Sequence, residues 1–323
     1  MNILVTDGLS QTAVSQLTEA GFNVLSVKVA QSQLKEYINA KNIEGIITRT
    51  TFIENEVITG APQLKFIAVI GNEQVVSSVA EAEKNGIQFI TAPVAATRSV
   101  AELVFAHILG GSRFLHHSNR NMPLEGDMNF KDLRNFYSGG IELQGKTIGI
   151  IGFGKIGQEI AKIALGFGMK VIATDPNVVG AKLQLKIQDQ NVEIGLKTVN
   201  LEQVLENSDI ISLSVSEQKN PIIGAKEIAL MKPNGGIVNI SNGNAIDEEA
   251  LIEALEDAKL KFAGLDTYDN EPTPAIKLLM NERISLTPHI GGLTGTATER
   301  SAALIAKEVI AKFHGKSGMD FFK

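Results

Sequence analysis

The stretch TIGIIGFGKIG at 147–157 decides the fold. Its first five residues read as a short strand and the residues from Lys155 onward as a helix, so Gly152, Gly154 and Gly157 fall on the turn between them. In that setting each glycine has its own task. Gly152 allows the tight turn, Gly154 lets backbone approach a pyrophosphate, and Gly157 lets the helix pack on the strand. Lys155 and Ile156 open the helix, whose N-terminus offers N–H donors and a positive dipole end to an anion. Asp175 closes the next strand, VIATD, 18 residues after Gly157. A carboxylate there accepts hydrogen bonds from an adenosine ribose and repels a 2′-phosphate, and no arginine follows it closely. The turn therefore predicts a Rossmann unit that holds NAD in preference to NADP.

The strand-and-helix rhythm continues downstream through DIISLSV (209–215), GIVNI (236–240), KFAGLD (261–266) and RISLTP (283–288). A separate series precedes it: NILVT at 2–6, a helix over 10–20, NVLSV at 23–27, GIIT at 45–48 and FIAVI at 66–70. Between the two series, Ser99–Arg120 reads as one long helix without proline, and 121–140 as a polar loop bearing aromatic residues. Residues 180–200 show no pattern that assigns them. The helical pattern from Thr296 to Lys312 has no partner left in its own series and is expected to return to the first.

With 323 residues the chain is too long for one core, and 44% apolar against 20% charged residues makes it globular. Thirty Lys plus Arg against 36 Asp plus Glu leaves a net charge of −6 without a basic block, which argues against nucleic acid and anionic membrane as partners. The absence of cysteine removes disulfides, thiolate metal sites and a cysteine nucleophile. No apolar run reaches the roughly 18–20 residues of a membrane span, and no secretory signal is apparent. The expectation is a cytoplasmic protein that works on small molecules, with no metal.

GFGKIG, ATRSVAEL at 96–103, DEEALIEAL at 247–255, AGLDTYDNEP at 263–272 and TPHIGG at 287–292 occur in an order that resembles the D-isomer-specific 2-hydroxyacid dehydrogenases, most of all the short 3-phosphoglycerate dehydrogenases. The resemblance spans nearly the whole chain. It implies an α/β protein of two doubly wound parallel-sheet domains. A flavodoxin-like catalytic domain comes from both chain ends (1–98 and 288–323), and the Rossmann NAD domain (99–287) is inserted between them. It implies hydride transfer between a nicotinamide and C2 of a 2-hydroxy or 2-oxo acid, a place in serine biosynthesis, and a homodimer formed through the NAD domain, for which the 121–140 segment is a candidate arm.

The family's acid/base histidine falls on His289 and its orienting glutamate on Glu271. A carboxylate that holds a proton on one ring nitrogen leaves the other to exchange a proton with the C2 oxygen. The resemblance also places Asp266 at the cofactor, and Arg49, Gly71, Asn72 and Glu73 at the substrate.

Three departures stand against the pattern. Asn242 occupies the position of the arginine that grips the substrate, in a register set by its 29-residue distance from Glu271. An amide lacks the charge and planar fork of a guanidinium. Glu73 replaces a glycine of the substrate loop, next to Val75, Val76 and Ser78 where the family carries other residues. Ser214 and Ser216 stand where a histidine and a proline are usual. Arg49 and Arg98 remain, each expected as an ion-pair partner in the fold unless it meets substrate. A second reading follows from the departures: an NAD-binding pseudoenzyme or cofactor-sensing subunit that has lost the substrate anion site.

Overall fold

The computed structural model describes residues 1–71, 75–217 and 219–314. The chain divides into two compact units, one of residues 1–96 with those from 292 on, the other Thr97–Gly291.

The first unit begins β1 (Asn2–Val5), α1 (Gln11–Glu19), β2 (Asn23–Ser26), α2 (Leu34–Ala40), β3 (Ile43–Thr48), α3 (Asn55–Gly60), β4 (Phe66–Val69), α4 (Val79–Lys84) and β5 (Gln88–Thr91). All its strands pair in parallel in the order β2-β1-β3-β4-β5, the flavodoxin-like arrangement. Every residue of β4 is buried, as a strand covered on both faces requires. Leu34, Ile38, Val57 and Ile58 pack on one face. Ala13 and Leu17 pack on the other with Ile305 and Val309 of the C-terminal helix Gly295–Phe313. Gly45 on β3 is a packing requirement, since a Cβ there would lie 2.2 Å from the Phe66 ring on the neighbouring strand.

The second unit opens with α5 (Thr97–Ser112), α6 (Leu115–Glu125) and α7 (Phe130–Phe136). The single helix expected over Ser99–Arg120 is thus two helices. Phe114 takes a left-handed φ of 55° and ends the first, and Gly111 lets α5 settle on Phe262, where a Cβ would lie 2.1 Å from the ring. The expected loop 121–140 is mostly helical, because Phe130, Leu133 and Phe136 carry a helical stripe of which Leu133 is buried. Then follow β6 (Thr147–Ile151), α8 (Lys155–Gly166), β7 (Lys170–Thr174), β8 (Gly180–Ile187) and β9 (Gln190–Lys197).

The unit continues with α9 (Leu201–Asn207), β10 (Ile210–Leu213), α10 (Ala225–Leu230), β11 (Gly235–Asn239), α11 (Glu248–Glu256), β12 (Leu260–Leu265), α12 (Ile276–Leu279) and β13 (Ile284–Leu286). The terminal helix is α13. Six strands form a parallel sheet in the order β13-β12-β11-β10-β6-β7, and the chain reverses direction across it between β6 and β10. Residues 180–197, unassigned from the sequence, form an antiparallel hairpin, β8 with β9. Its register pairs Ala181 with Leu196, Leu183 with Ile194 and Leu185 with Val192, which puts the apolar residues on one face. Leu183 is buried in the domain core. Among the described residues no helix is long and apolar enough to cross a membrane.

Candidate active site and cofactor cleft

A cleft of about 600 Å³ opens at the C-terminal ends of β6 and β10, where the strand order reverses, the usual ligand position in such sheets. Gly152, Gly154, Asp175, Ser214 and Val215 line it. Gly152 has φ +92°, and a Cβ on it would lie 2.3 Å from the Ser214 carbonyl oxygen. A Cβ on Gly157 would lie 2.1 Å from the Gly152 carbonyl, so α8 sits directly on the turn. Gly154, the N-cap of α8, has no capping side chain and faces open space. The Ser214 hydroxyl is buried in the cleft wall without a partner among the described residues. A glycine cradle, an uncapped helix start and an orphaned hydroxyl suit a dinucleotide pyrophosphate. Asp175 accepts backbone N–H bonds from Phe153 (2.7 Å), Asn177 (2.8 Å) and Val178 (2.9 Å). It therefore braces the turn and keeps acceptor capacity for a ribose hydroxyl.

His289 and Glu271, 18 residues apart, meet with Nδ1 2.8 Å from Oε2. The other Glu271 oxygen accepts the Tyr268 N–H at 3.0 Å, so the carboxylate is held at both ends. The His289 side chain is about half exposed (52%), which leaves it open to a reactant. Its backbone adopts a left-handed φ of 53°. Asp266 enforces that conformation, because its two oxygens accept the N–H groups of Ile290 and Gly291, each at 2.8 Å, directly after the histidine. The resemblance assigns Asp266 to the cofactor. In the structure its carboxylate is 1% exposed and engaged in this loop. The Tyr268 hydroxyl donates to the Thr287 carbonyl at 2.8 Å, and burial pushes its pKa up to about 12, so it stays a donor at neutral pH.

Asn242, at the position of the family's arginine, is engaged by its neighbours. Its side-chain amide donates to the Val215 carbonyl at 2.8 Å, and its own carbonyl accepts from buried Asn239 at 2.6 Å. It ties the loop after β10 to the loop after β11. Gly243 beside it lies against Tyr268, whose carbonyl a Cβ would meet at 1.9 Å.

In the first unit the Arg49 loop is built around Asp7, a residue that sequence reasoning passed over. One Asp7 oxygen accepts the N–H groups of Arg49, Thr50 and Thr51 at 2.8, 3.0 and 3.1 Å, and the hydroxyls of Thr50 and Thr51 donate to the other at 2.6 and 3.0 Å. Its position at the exit of β1, like that of Asp175 at the exit of β7, was the available signal. Arg49 pairs with no carboxylate among the described residues. Gly71 takes φ +101° after β4, whereas Asn72 and Glu73 lie outside the described residues. Arg98 is structural, bonded to Glu102 at 2.6 Å and to Glu159 at 3.0 Å.

Although burial opposes ionisation, the Thr50 hydroxyl and the three backbone N–H groups hold the Asp7 carboxyl far below the usual carboxylate range. A carboxyl depressed on folding contributes stability above its unfolded pKa of about 4, and that contribution fades as pH falls below it. Asp7→Asn should cost about 1.5–3 kcal/mol at pH 7. It should also flatten the acid dependence of urea unfolding below pH 4. An Asp7→Asn protein that loses stability with acid as steeply as wild type would remove Asp7 from this account.

Residues 105–291 match the family described as D-isomer specific 2-hydroxyacid dehydrogenase, NAD binding domain. The chain is 33% identical over 322 residues to a D-3-phosphoglycerate dehydrogenase of Methanocaldococcus jannaschii, covering 98% of this chain and 58% of that protein. The chain thus spans little more than half the length of that relative. It is 35% identical to a hydroxypyruvate reductase of Thermotoga maritima, over 94% of this chain and 96% of the relative. Among solved structures, a glyoxylate reductase from Paecilomyes thermophila superposes with a TM-score of 0.72 at 26% identity, over 97% of this chain and 96% of that one.

Proposed function

This chain belongs to the D-isomer-specific 2-hydroxyacid dehydrogenases, and from that premise we propose that it is an NAD-dependent oxidoreductase of small 2-hydroxy and 2-oxo acids, with His289 as its acid/base. The observation that carries the reading is the 2.8 Å contact between His289 Nδ1 and Glu271. With one nitrogen committed to the carboxylate, Nε2 is the atom that takes the C2 hydroxyl proton in oxidation and returns it in reduction. NAD, when bound, supplies the hydride acceptor. Gly152, Gly154 and the start of α8 hold its pyrophosphate, and Asp175 receives the adenosine ribose. Glu271 orients the imidazole, and Asp266 fixes the backbone that carries it. Arg49, on the loop that Asp7 builds, is our choice for the substrate anion, since the Asn242 amide is spent on Val215.

The relatives act, by name, on 3-phosphoglycerate and hydroxypyruvate. A three-carbon 2-hydroxy acid of that class, and through it serine biosynthesis, is the proposed substrate range. We assign homodimer formation to the 121–140 segment. Leu124, Met128 and Phe136 are 79, 77 and 65% exposed there, an apolar surface that calls for cover.

The test is nicotinamide absorbance with 3-phosphoglycerate, hydroxypyruvate and glyoxylate, each with NAD(H) and with NADP(H). Turnover on at least one acid is expected, with kcat/KM for NAD(H) at least tenfold above that for NADP(H), because Asp175 meets the extra phosphate with like charge. Binding of NADH without turnover on any of the three acids would overturn the enzymatic reading, and equal use of both cofactors would overturn the role of Asp175.

A further inference from the structure

Resting on His289 as the acid/base, we propose that His107 on α5 is a positioning residue for the loop that carries it. His107 is 2% exposed and lies against Gly264 of β12, where a Cβ would come within 2.5 Å of the histidine's own Cβ. The strand has no side chain at the point where the imidazole is seated. Both ring nitrogens are occupied, Nδ1 at 2.9 Å from Ser285 Oγ and Nε2 at 3.0 Å from Thr287 Oγ1. Ser285 and Thr287 alternate along the end of β13 and so present their hydroxyls on one face, where one ring spans both.

The proton positions follow from the partners. Asp266 already accepts two backbone N–H groups, and the Thr287 hydroxyl, 2.6 Å from Oδ1, gives its one proton to that carboxylate. Thr287 Oγ1 can then only accept from the ring, which makes His107 the Nε2–H tautomer and leaves Nδ1 to accept from Ser285. Burial, which holds the ring's pKa down at about 4, keeps this neutral form through the neutral range. A directed chain therefore runs Ser285, His107, Thr287, Asp266, and ends on the N–H groups of Ile290 and Gly291. Those two bonds hold the left-handed turn at His289. A leucine would fill the space but satisfy neither hydroxyl. A glutamine offers one donor and one acceptor, as the ring does.

The test compares the full-length wild-type chain with His107→Leu, His107→Gln and Thr287→Val by amide hydrogen exchange and by NADH-dependent reduction of hydroxypyruvate. In His107→Leu and Thr287→Val, exchange at Ile290 and Gly291 should rise at least tenfold, while Ile148 and Ile150 of β6 keep their protection. His107→Gln should restore most of it. Reduction should lose about tenfold in kcat in His107→Leu with little change in KM for NADH, and glutamine should recover it. The exchange readout does not need turnover, so a failed enzymatic reading and a failed positioning role are told apart. Unchanged exchange at 290 and 291 would overturn the proposal. So would a uniform loss of protection across the whole unit, or glutamine behaving as leucine does. If His107→Leu does not fold, Thr287→Val decides on the same criteria.

Discussion

His289→Ala is expected to lower turnover by about 10² to 10⁴, the span that a positioned general acid/base contributes, while NADH binds as in wild type. The effect falls on kcat because the side chain is assigned to the proton and not to the cofactor. It should leave folding nearly intact, since the imidazole is half exposed and the loop is held by main-chain bonds to Asp266, which an alanine at 289 does not remove. Glu271→Gln should fall between the two. It keeps a polar atom near Nδ1 but replaces the charge, and the Tyr268 N–H retains an acceptor only if the amide oxygen faces it. The measurement is steady-state reduction of a 2-oxo acid, with NADH affinity followed in parallel by fluorescence. Turnover retained in His289→Ala would remove it from the mechanism, and loss of NADH binding would move it to the cofactor site.

Much of this site was legible in the sequence because the chemistry is carried by local strings. GFGKIG states its own geometry: Gly152 and Gly157 each exclude a Cβ that would meet named backbone, while Gly154 keeps the start of the helix open. His289 and Glu271 were legible by resemblance, but their contact depends on a cross-loop packing that no spacing rule contains. Asn242 shows the limit more plainly. The sequence reveals that the arginine is gone, yet only the structure shows the amide tethering Val215. Asp266, Thr287 and His107 were illegible as a network, because each is an ordinary residue type whose role exists only once β12, β13 and α5 are assembled.

The fold followed the same division. The parallel strands were readable because strands buried on both faces are continuous apolar runs. The β8–β9 hairpin was not, since its apolar residues alternate with lysine, glutamine and glutamate and resemble a polar linker until paired. The break in the helix after Ser112 was hidden for a related reason. Nothing in the string marks Phe114 as left-handed, a conformation that a bulky residue adopts only when tertiary packing repays its strain.

Two neighbouring glycines of the cofactor turn should respond in opposite ways to the same added methyl. Gly152→Ala is expected to destabilise the protein heavily. The alanine would be forced to φ +92° and its Cβ would sit 2.3 Å from the Ser214 carbonyl oxygen and 3.1 Å from Val215 Cγ1. Backbone strain and overpacking each cost about 1–3 kcal/mol, so a loss of several kcal/mol should appear in urea unfolding together with loss of NADH binding. Gly154→Ala should fold as well as wild type. Its φ of −70° suits an alanine, nothing lies within 4 Å of the new Cβ, and the unfolded chain loses freedom worth about 0.4–1 kcal/mol. Its deficit should appear only with cofactor, as at least a tenfold weaker NADH affinity, because the methyl occupies the space through which the pyrophosphate approaches the start of α8. Gly154→Ala binding NADH as tightly as wild type would mean that the open side of this glycine is not where the pyrophosphate lies. The cleft between β6 and β10 would then need a different occupant.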